Sequence, residues 1–386
     1  ALWFWPLTTQ VTPPSLDEWL GALEGLLGKQ VKDAKGTDGT LVDASSWAEL
    51  ETMEEVELGL AGARKVQAVV DEHEWLTVVQ EVAEAQGFFH WELDFATVFA
   101  RGGFDLQVGN PPWVRPDVSV ETLLADGDPW WMLTKKPSLA DREERLPRTL
   151  GRPGVLATVL DGAAETEVLA EFISDETIYP VMEGRPDLYR AFMCQVWEHQ
   201  KQRGISSLIH METHFTDAKT PGLRAATYRH LRRHWQFSND LLLFDVDNHI
   251  RYGVHVYGSE QSPSFLHTTS LYHPETVLRS LKHDGSGEEP GLKDPHTGTW
   301  DLRPHASRIE HINESTLKTW QLVTEAEDWP SAPMVSTVNS AASQTLATLA
   351  KQPRISTLHL QFSTGWNETT DFQNGLFSKD WGSAPW

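Results

Sequence analysis

The spacing of apolar positions changes several times along this chain, and each change marks an element. In "SLDEWLGALEGLLGKQ" (15–30), Trp19, Leu20, Leu23, Leu26 and Leu27 recur at helical intervals behind a Ser-Leu-Asp-Glu start of capping-box type, which predicts a packing helix. A second helical block, with its carboxylates on a solvated face, is predicted from 45 to 86 and stopped by Gly87. "FDLQVG" (104–109) is a short, mostly apolar run and reads as a strand. "DLYRAFMCQVWEHQKQRG" (187–204) predicts an amphipathic helix ending at Gly204, and "ISSLIHME" (205–212) a strand. A helix of about sixteen residues is expected after Pro221, with Tyr228, Leu231 and Trp235 on one face. The run 240–257 then predicts a hairpin turning at Asp247-Asn248.

Strand, loop, helix and strand in succession make an α/β rhythm. Residues 116–186 interrupt it as an insertion rich in Pro and charge, with helical stretches such as "AAETEVLAEFI". From Ser259 onward strands are short, among frequent Gly, Pro, Asp, Ser and Thr.

Composition narrows the function classes. At 386 residues the chain is long enough for a full core and for two or three lobes. No stretch approaches the eighteen or so uncharged apolar residues of a membrane helix, so no membrane partner is expected. A single cysteine, Cys194, leaves no intrachain disulfide, and a cytoplasmic setting is expected. The formal charge of -23 would repel a polyanion if it were evenly spread. It is not: residues 218–239 hold Lys219, Arg224, Arg229, Arg232 and Arg233 and no acid. On the predicted helix Arg229, Arg232 and Arg233 group together, and the cluster of Arg224, Arg229, Arg232 and Arg233 fits either DNA phosphate contact or an ordinary solvated face.

The most informative residues follow the strand at 104–109. Asn110, Pro111, Pro112 and Trp113 stand at its carboxyl end, where open α/β sheets place their ligand crevice. Two successive prolines fix φ and lack N–H groups, so the carbonyls of Asn110 and Pro111 are held in a rigid turn with few local competitors. An Asn side-chain oxygen and a backbone carbonyl suit an exocyclic amine, and the adjacent indole offers a face to a planar ring. Amine plus planar ring describes a nucleobase.

This arrangement resembles the Asn-Pro-Pro-aromatic motif of N6-adenine DNA methyltransferases. The longer stretch "FFHWELDFATVFARGGFDLQVGNPPWV" is similar to the approach to that motif in the large Eco57I-type and phage-defence (BREX- or DISARM-like) methylases. "ALWFWP", "DLYRAFM", "GISSLIH" and "LRAATYRHLRRHWQFSNDLLLFDV" resemble further segments in order, from about residue 1 to 257, with weaker similarity in "WDLRPHASRI" and "FSTGWNE". The resemblance implies a partial Rossmann-like class I methyltransferase sheet. It would comprise a helical segment at 1–86, a catalytic core at 87–257 holding the insertion 116–186, and a mixed α+β region at 258–386 that opens a target-recognition domain.

It further implies S-adenosylmethionine as methyl donor and double-stranded DNA with a flipped adenine as partner. Other subunits of a restriction-modification or phage-defence system, or the rest of a parent chain, are implied as further partners. Asn110 and Pro111 would accept from the adenine amine, Trp113 would stack on the base, and Pro112 would hold the turn. Cys194 is not expected to be a nucleophile. The family's glycine-rich cofactor loop is missing, since "LEGLLGK" and "LGLAGA" lie in helical patterns. The cofactor-binding residues are thus unassigned, and an internal piece of a larger enzyme is expected.

Other readings of the residues compete. A methyltransferase-like scaffold without turnover would keep the turn and lose the chemistry. Asn-Pro-Pro-aromatic turns also serve glutamine-N5 protein methylation, usually with Tyr, and N4-cytosine enzymes more often carry Ser or Asp at the first position. Glu92 and Asp94 would share a strand face, the form of a glycosidase carboxylate pair, but such pairs act from opposite sides of a sugar. Glu212 between His210 and His214 suggests metal ligation, yet no third ligand stands at a recognisable spacing, so no metal is expected. "DVDNH" (245–249) matches no complete calcium loop.

Overall fold

The computed structural model describes residues 1–27 and 64–358, together with 360, 361, 365 and 367–376. The part of the predicted helical block before residue 64, "LGLAGA" and most of "FSTGWNE" lie outside the described residues. None of the described helices is long and apolar enough to cross a membrane.

The first helices form a small unit of their own. Helices α1 (Leu16–Leu27), α2 (Val66–Glu72) and α3 (Glu74–Gln86) enclose Ala22, Val69 and Trp75, with Leu26, Leu76 and Val79 packed around them. Of the predicted stripe Leu26 packs against this core, whereas Trp19 and Leu20 stay exposed at 43% and 37%. Helix α3 stops at Gly87, which takes a left-handed φ of 60° and returns its N–H to Ala83 O.

The insertion is helical: α4 (Val120–Gly127), α5 (Leu139–Leu150) and α6 (Val155–Ser174). Its junction is Asp128, which accepts from Arg145 Nε at 2.8 Å, Arg145 Nη2 at 3.0 Å and Thr149 Oγ1 at 3.1 Å. The Arg145 guanidinium holds this carboxyl down to about 2. A carboxyl depressed in the folded state stabilises above its ordinary value near 4, and the contribution is lost as pH falls toward 2. Asp128→Asn is expected to remove about 1–2 kcal/mol at pH 7 and to flatten the stability profile between pH 4 and 2, as read by urea unfolding at each pH.

The rest is a mixed α/β region around one six-stranded sheet, in the order β1-β2-β4-β3-β5-β6. The strands are β1 (Phe104–Gly109), β2 (Gln200–Met211), β3 (Leu231–Ser238), β4 (Arg251–Tyr257), β5 (Ser264–Leu271) and β6 (Glu310–Asn313). β1 and β2 are parallel, as are β3 and β5; β4 and β6 run against their neighbours. The carboxyl ends of β1, β2, β3 and β5 thus share one edge of the sheet.

One face is covered by α7 (Leu188–Glu198), α8 (Pro221–His230) and α10 (Glu314–Thr324), which supply Tyr189, Met193, Leu223, Tyr228, Leu317 and Trp320 to the main core. The other face carries Trp235, Phe237, Tyr252 and Leu271 against Val277 of α9 (Pro274–Ser280). β1 forms an edge of the sheet and leaves Leu106 63% and Val108 76% exposed, an apolar unpaired edge of the kind that receives a further strand.

Three expectations about elements change. The helix after Pro221 ends at His230, and Leu231–Ser238 becomes β3, sandwiched between β4 and β5. Its ladder bonds and burial on both faces outweigh the local helical pattern. The hairpin accordingly pairs β3 with β4, and the predicted first arm, 240–246, is the connection. There Asn239 Nδ2 donates to Phe244 O at 3.0 Å and Val246 O at 2.9 Å, while Leu241, Leu242 and Leu243 are exposed. Strand β2 begins at Gln200, so Gly204 does not stop a helix. The sheet also continues beyond residue 257 through β5 and β6.

Candidate functional site

Strand β1 owes its position to a close approach at its start. Pairing with β2 shifts between Phe104↔Gln200 and Leu106↔Ile205, so β2 bulges by several residues. Gly103 and Gly204 make this possible. A Cβ on Gly103 would lie 2.4 Å from His199 O, and one on Gly204 2.4 Å from Phe104 O. Beyond the bulge Gln107 Nε2 donates to Val196 O of α7 at 2.8 Å and to Ser206 Oγ of β2 at 3.0 Å, locking strand to helix.

The chain leaves the sheet immediately after Gly109, and Asn110 to Trp113 lie outside regular structure. Three links fix the segment that follows. Trp113 Nε1 donates to Ile209 O of β2 at 3.1 Å, Leu188 N donates to Val114 O at 3.0 Å, and Arg115 Nε meets Asp187 Oδ1 at 3.0 Å. Asp187 sits at the start of α7, so the turn is tied to the same helix as β1. Asn110 is exposed, and its side-chain amide has no hydrogen-bond partner among the described residues. Pro111 is buried and Pro112 exposed.

A cavity of about 400 Å³ opens beside the turn. Asn110, Pro111 and Pro112 line one end, Leu106 and Val108 the edge, and Phe192 and Gln195 of α7 the floor. Trp113 is not among its walls. The half-buried indole lies on the opposite sheet face, stacked on Tyr252 with ring centroids 5.7 Å apart and tilted against Phe244 at 5.6 Å. The four motif residues therefore straddle the end of the sheet, with the acceptors beside the cavity and the aromatic behind it.

The arginines predicted for DNA divide into two kinds. Arg224 is buried: its Nε donates to Ser331 O at 2.6 Å and its Nη1 to His214 O at 3.2 Å and Asp217 O at 2.9 Å. Arg232 lies on β3 and bonds the carbonyls of His230, Leu231 and Ser259. Both guanidiniums are committed within the fold. Arg229 is exposed and pairs with Glu260 at 2.9 Å, and Arg233 is exposed with no ion-pair partner among the described residues. Because half of the stretch is strand, the four do not form one helical face.

Trp91–Asp94 is a helical turn, which removes the shared strand face of Glu92 and Asp94. Burial pushes the Cys194 thiol up to about 12, so it is neutral near pH 7 and unsuited to nucleophilic attack. Glu212 does meet histidines, but they are His234 and His255 from β3 and β4 in place of His210 and His214. Sequence spacing held no signal for that grouping, since the three residues come together through strand register.

A model of the Eco57I restriction-modification methylase family matches residues 44–128, a stretch that includes Asn110 to Trp113. A comparison with curated proteins finds no match. Among solved structures, the ATP-dependent Type ISP restriction-modification enzyme LlaBIII bound to DNA aligns with 43% of this chain and 10% of its own, at 9% identity and a TM-score of 0.22. A nuclease-deletion mutant of the Type ISP restriction-modification enzyme LlaGI, in complex with a DNA substrate mimic, aligns with 69% of this chain and 30% of its own, at 10% identity and a TM-score of 0.20. This chain spans less than a third of either enzyme.

Proposed function

We propose that this chain belongs to a restriction-modification or phage-defence methyltransferase and holds the target base for S-adenosylmethionine-dependent methylation of adenine N6 in DNA. The observation that carries the reading is the unpaired amide of Asn110 on a proline-locked turn at the carboxyl end of β1, beside an open cavity, within the stretch matched by the methylase family model. We read the sheet as one side of a Rossmann-like sheet, with ligands at the carboxyl edge of its parallel strands.

In this reading Asn110 Oδ1 and the Pro111 carbonyl accept the two amine hydrogens of an extruded adenine. That draws electron density onto N6 and aims its lone pair. The donor, when bound, supplies the methyl group. Pro112 keeps the turn from relaxing, and the α7 links keep it in register with β1. Among the described residues no Gly-x-Gly turn follows a strand and opens a helix, so these residues do not complete a donor site. The free edge of β1 is where the remaining strands would pair.

The stacking role expected of Trp113 requires its indole, which packs behind the turn on Tyr252, to swing to the cavity side when DNA binds. Trp113→Ala is expected to weaken binding of a duplex carrying an unpaired adenine by about tenfold to a hundredfold, and Trp113→Phe by much less, in fluorescence anisotropy at fixed salt. Equal binding by all three proteins would show that the indole serves packing alone.

The incomplete donor site favours a second reading, a non-catalytic methyltransferase-like scaffold for DNA or partner subunits. Calorimetric titration of S-adenosylmethionine into this chain and into the same chain extended upstream separates the two. Binding on extension supports the enzyme, and binding by neither supports the scaffold.

A further inference from the structure

Five histidines are enclosed in the main core: His210, His214, His234, His255 and His267. Register brings three of them into a row. His255 on β4 stands directly across from His234 on β3, and His234 directly across from His267 on β5. Opposed residues of adjacent strands are close neighbours, and the ring centroids of both pairs are 4.9 Å apart.

Glu212, one residue past β2, reaches into this row. Its Oε1 lies 2.5 Å from His234 Nε2, and its Oε2 accepts from Gln236 Nε2. Across from His210 and Gln236 on β4 stands Gly253, where a Cβ would lie 2.6 Å from Glu212 Oε1 and 2.7 Å from His255 Nε2. The missing side chain lets a carboxylate and an imidazole turn toward the same small space. Neither ring nitrogen of His255 has a hydrogen-bond partner among the described residues, although the ring is fully buried. An unsatisfied buried N–H costs about 1–3 kcal/mol, a cost that a group bound at this position would offset.

We propose that Glu212, His234 and His255 bind a divalent transition metal ion of the zinc class. One ligand atom from each lies within 4.8 Å of the others. Atoms sharing an ion at about 2.0–2.2 Å stand no more than about 4.4 Å apart, so small side-chain rotations complete the site. Two imidazoles and one carboxylate suit zinc and its neighbours and do not suit calcium or magnesium, which take oxygen ligands.

A supporting shell is in place. His234 Nδ1 lies 2.8 Å from His267 Nδ1, so a metal on Nε2 leaves Nδ1–H to donate to His267, and Gln236 steadies the second carboxylate oxygen. A cavity of about 330 Å³ at the carboxyl edge of the strands is bordered by Glu212 and Gln236 and gives the carboxylate a route to solvent, while His234 and His255 lie deeper. The inference uses no part of the Asn110 site and stands apart from the methyl-transfer reading.

Cobalt titration of the dialysed full chain tests it. The expected result is one Co²⁺ per chain at micromolar or tighter affinity, visible d–d bands of a four-coordinate ion, and displacement by Zn²⁺. His255→Gln and Glu212→Gln should each weaken binding by a hundredfold or more, whereas His311→Ala, at an exposed position of β6, should not. Should either core variant fail to fold, X-ray absorption of the zinc-loaded wild type supplies the ligand count, with two imidazoles expected. Absence of d–d bands at millimolar Co²⁺, unchanged affinity in the core variants, or a coordination shell without two imidazoles overturns the proposal.

Discussion

Asn110→Ala is expected to slow methyl transfer to adenine-containing duplex by at least a hundredfold while leaving the fold intact. The rate effect follows from losing one acceptor aimed at the amine, since single preorganised hydrogen bonds to a reacting group are typically worth about a hundredfold or more. The structural silence follows from exposure. The side chain has no partner among the described residues, so its removal leaves no buried group unsatisfied, and stability should change by about 0.5 kcal/mol or less. Asn110→Asp keeps an acceptor oxygen and should lose less than alanine. The readout is N6-methyladenine formed under single-turnover conditions, in the upstream-extended protein if that is what binds the donor. An alanine variant as fast as the wild type would sink the proposed grip on the base, whatever the outcome of the metal experiment.

Arg224→Ala is expected to remove about 3 kcal/mol or more of stability. Its guanidinium donates to carbonyls of His214, Asp217 and Ser331, joining the loop after β2 to a segment more than a hundred residues later. Truncation strands those carbonyls in a buried site and opens a void beside them. Arg233→Ala makes the contrast. That side chain is exposed, so urea midpoints should scarcely move, while DNA affinity should fall and the salt slope shrink by about one. If Arg224→Ala instead kept its stability and lost DNA binding, the arginine would be a phosphate ligand after all.

Much of the fold was legible where the determinants are local. Helix α1 announces itself by a capping box and a leucine stripe, α3 stops at a glycine able to take positive φ, and β1 stops at two prolines. The element after Pro221 departs from its local pattern for a definite reason. Leu231 and Trp235 stand at a spacing that fits a helix, and only neighbours on both sides make Leu231–Ser238 a central strand. The arginine cluster failed with it, because a face defined on a helix does not survive conversion to a strand. Exposed Arg233 and carbonyl-bound Arg232 are adjacent residues with opposite fates.

The amino-acid sequence alone determined that β1 stops before Asn110–Trp113, because proline's fixed φ and missing N–H act within the residues themselves. Tertiary structure decided which way that turn faces, leaving Asn110 beside a cavity and Trp113 behind the sheet on Tyr252. It also decided that Glu212, His234 and His255 meet, since strand register sets the neighbours of a side chain across a sheet and no spacing along the chain encodes it.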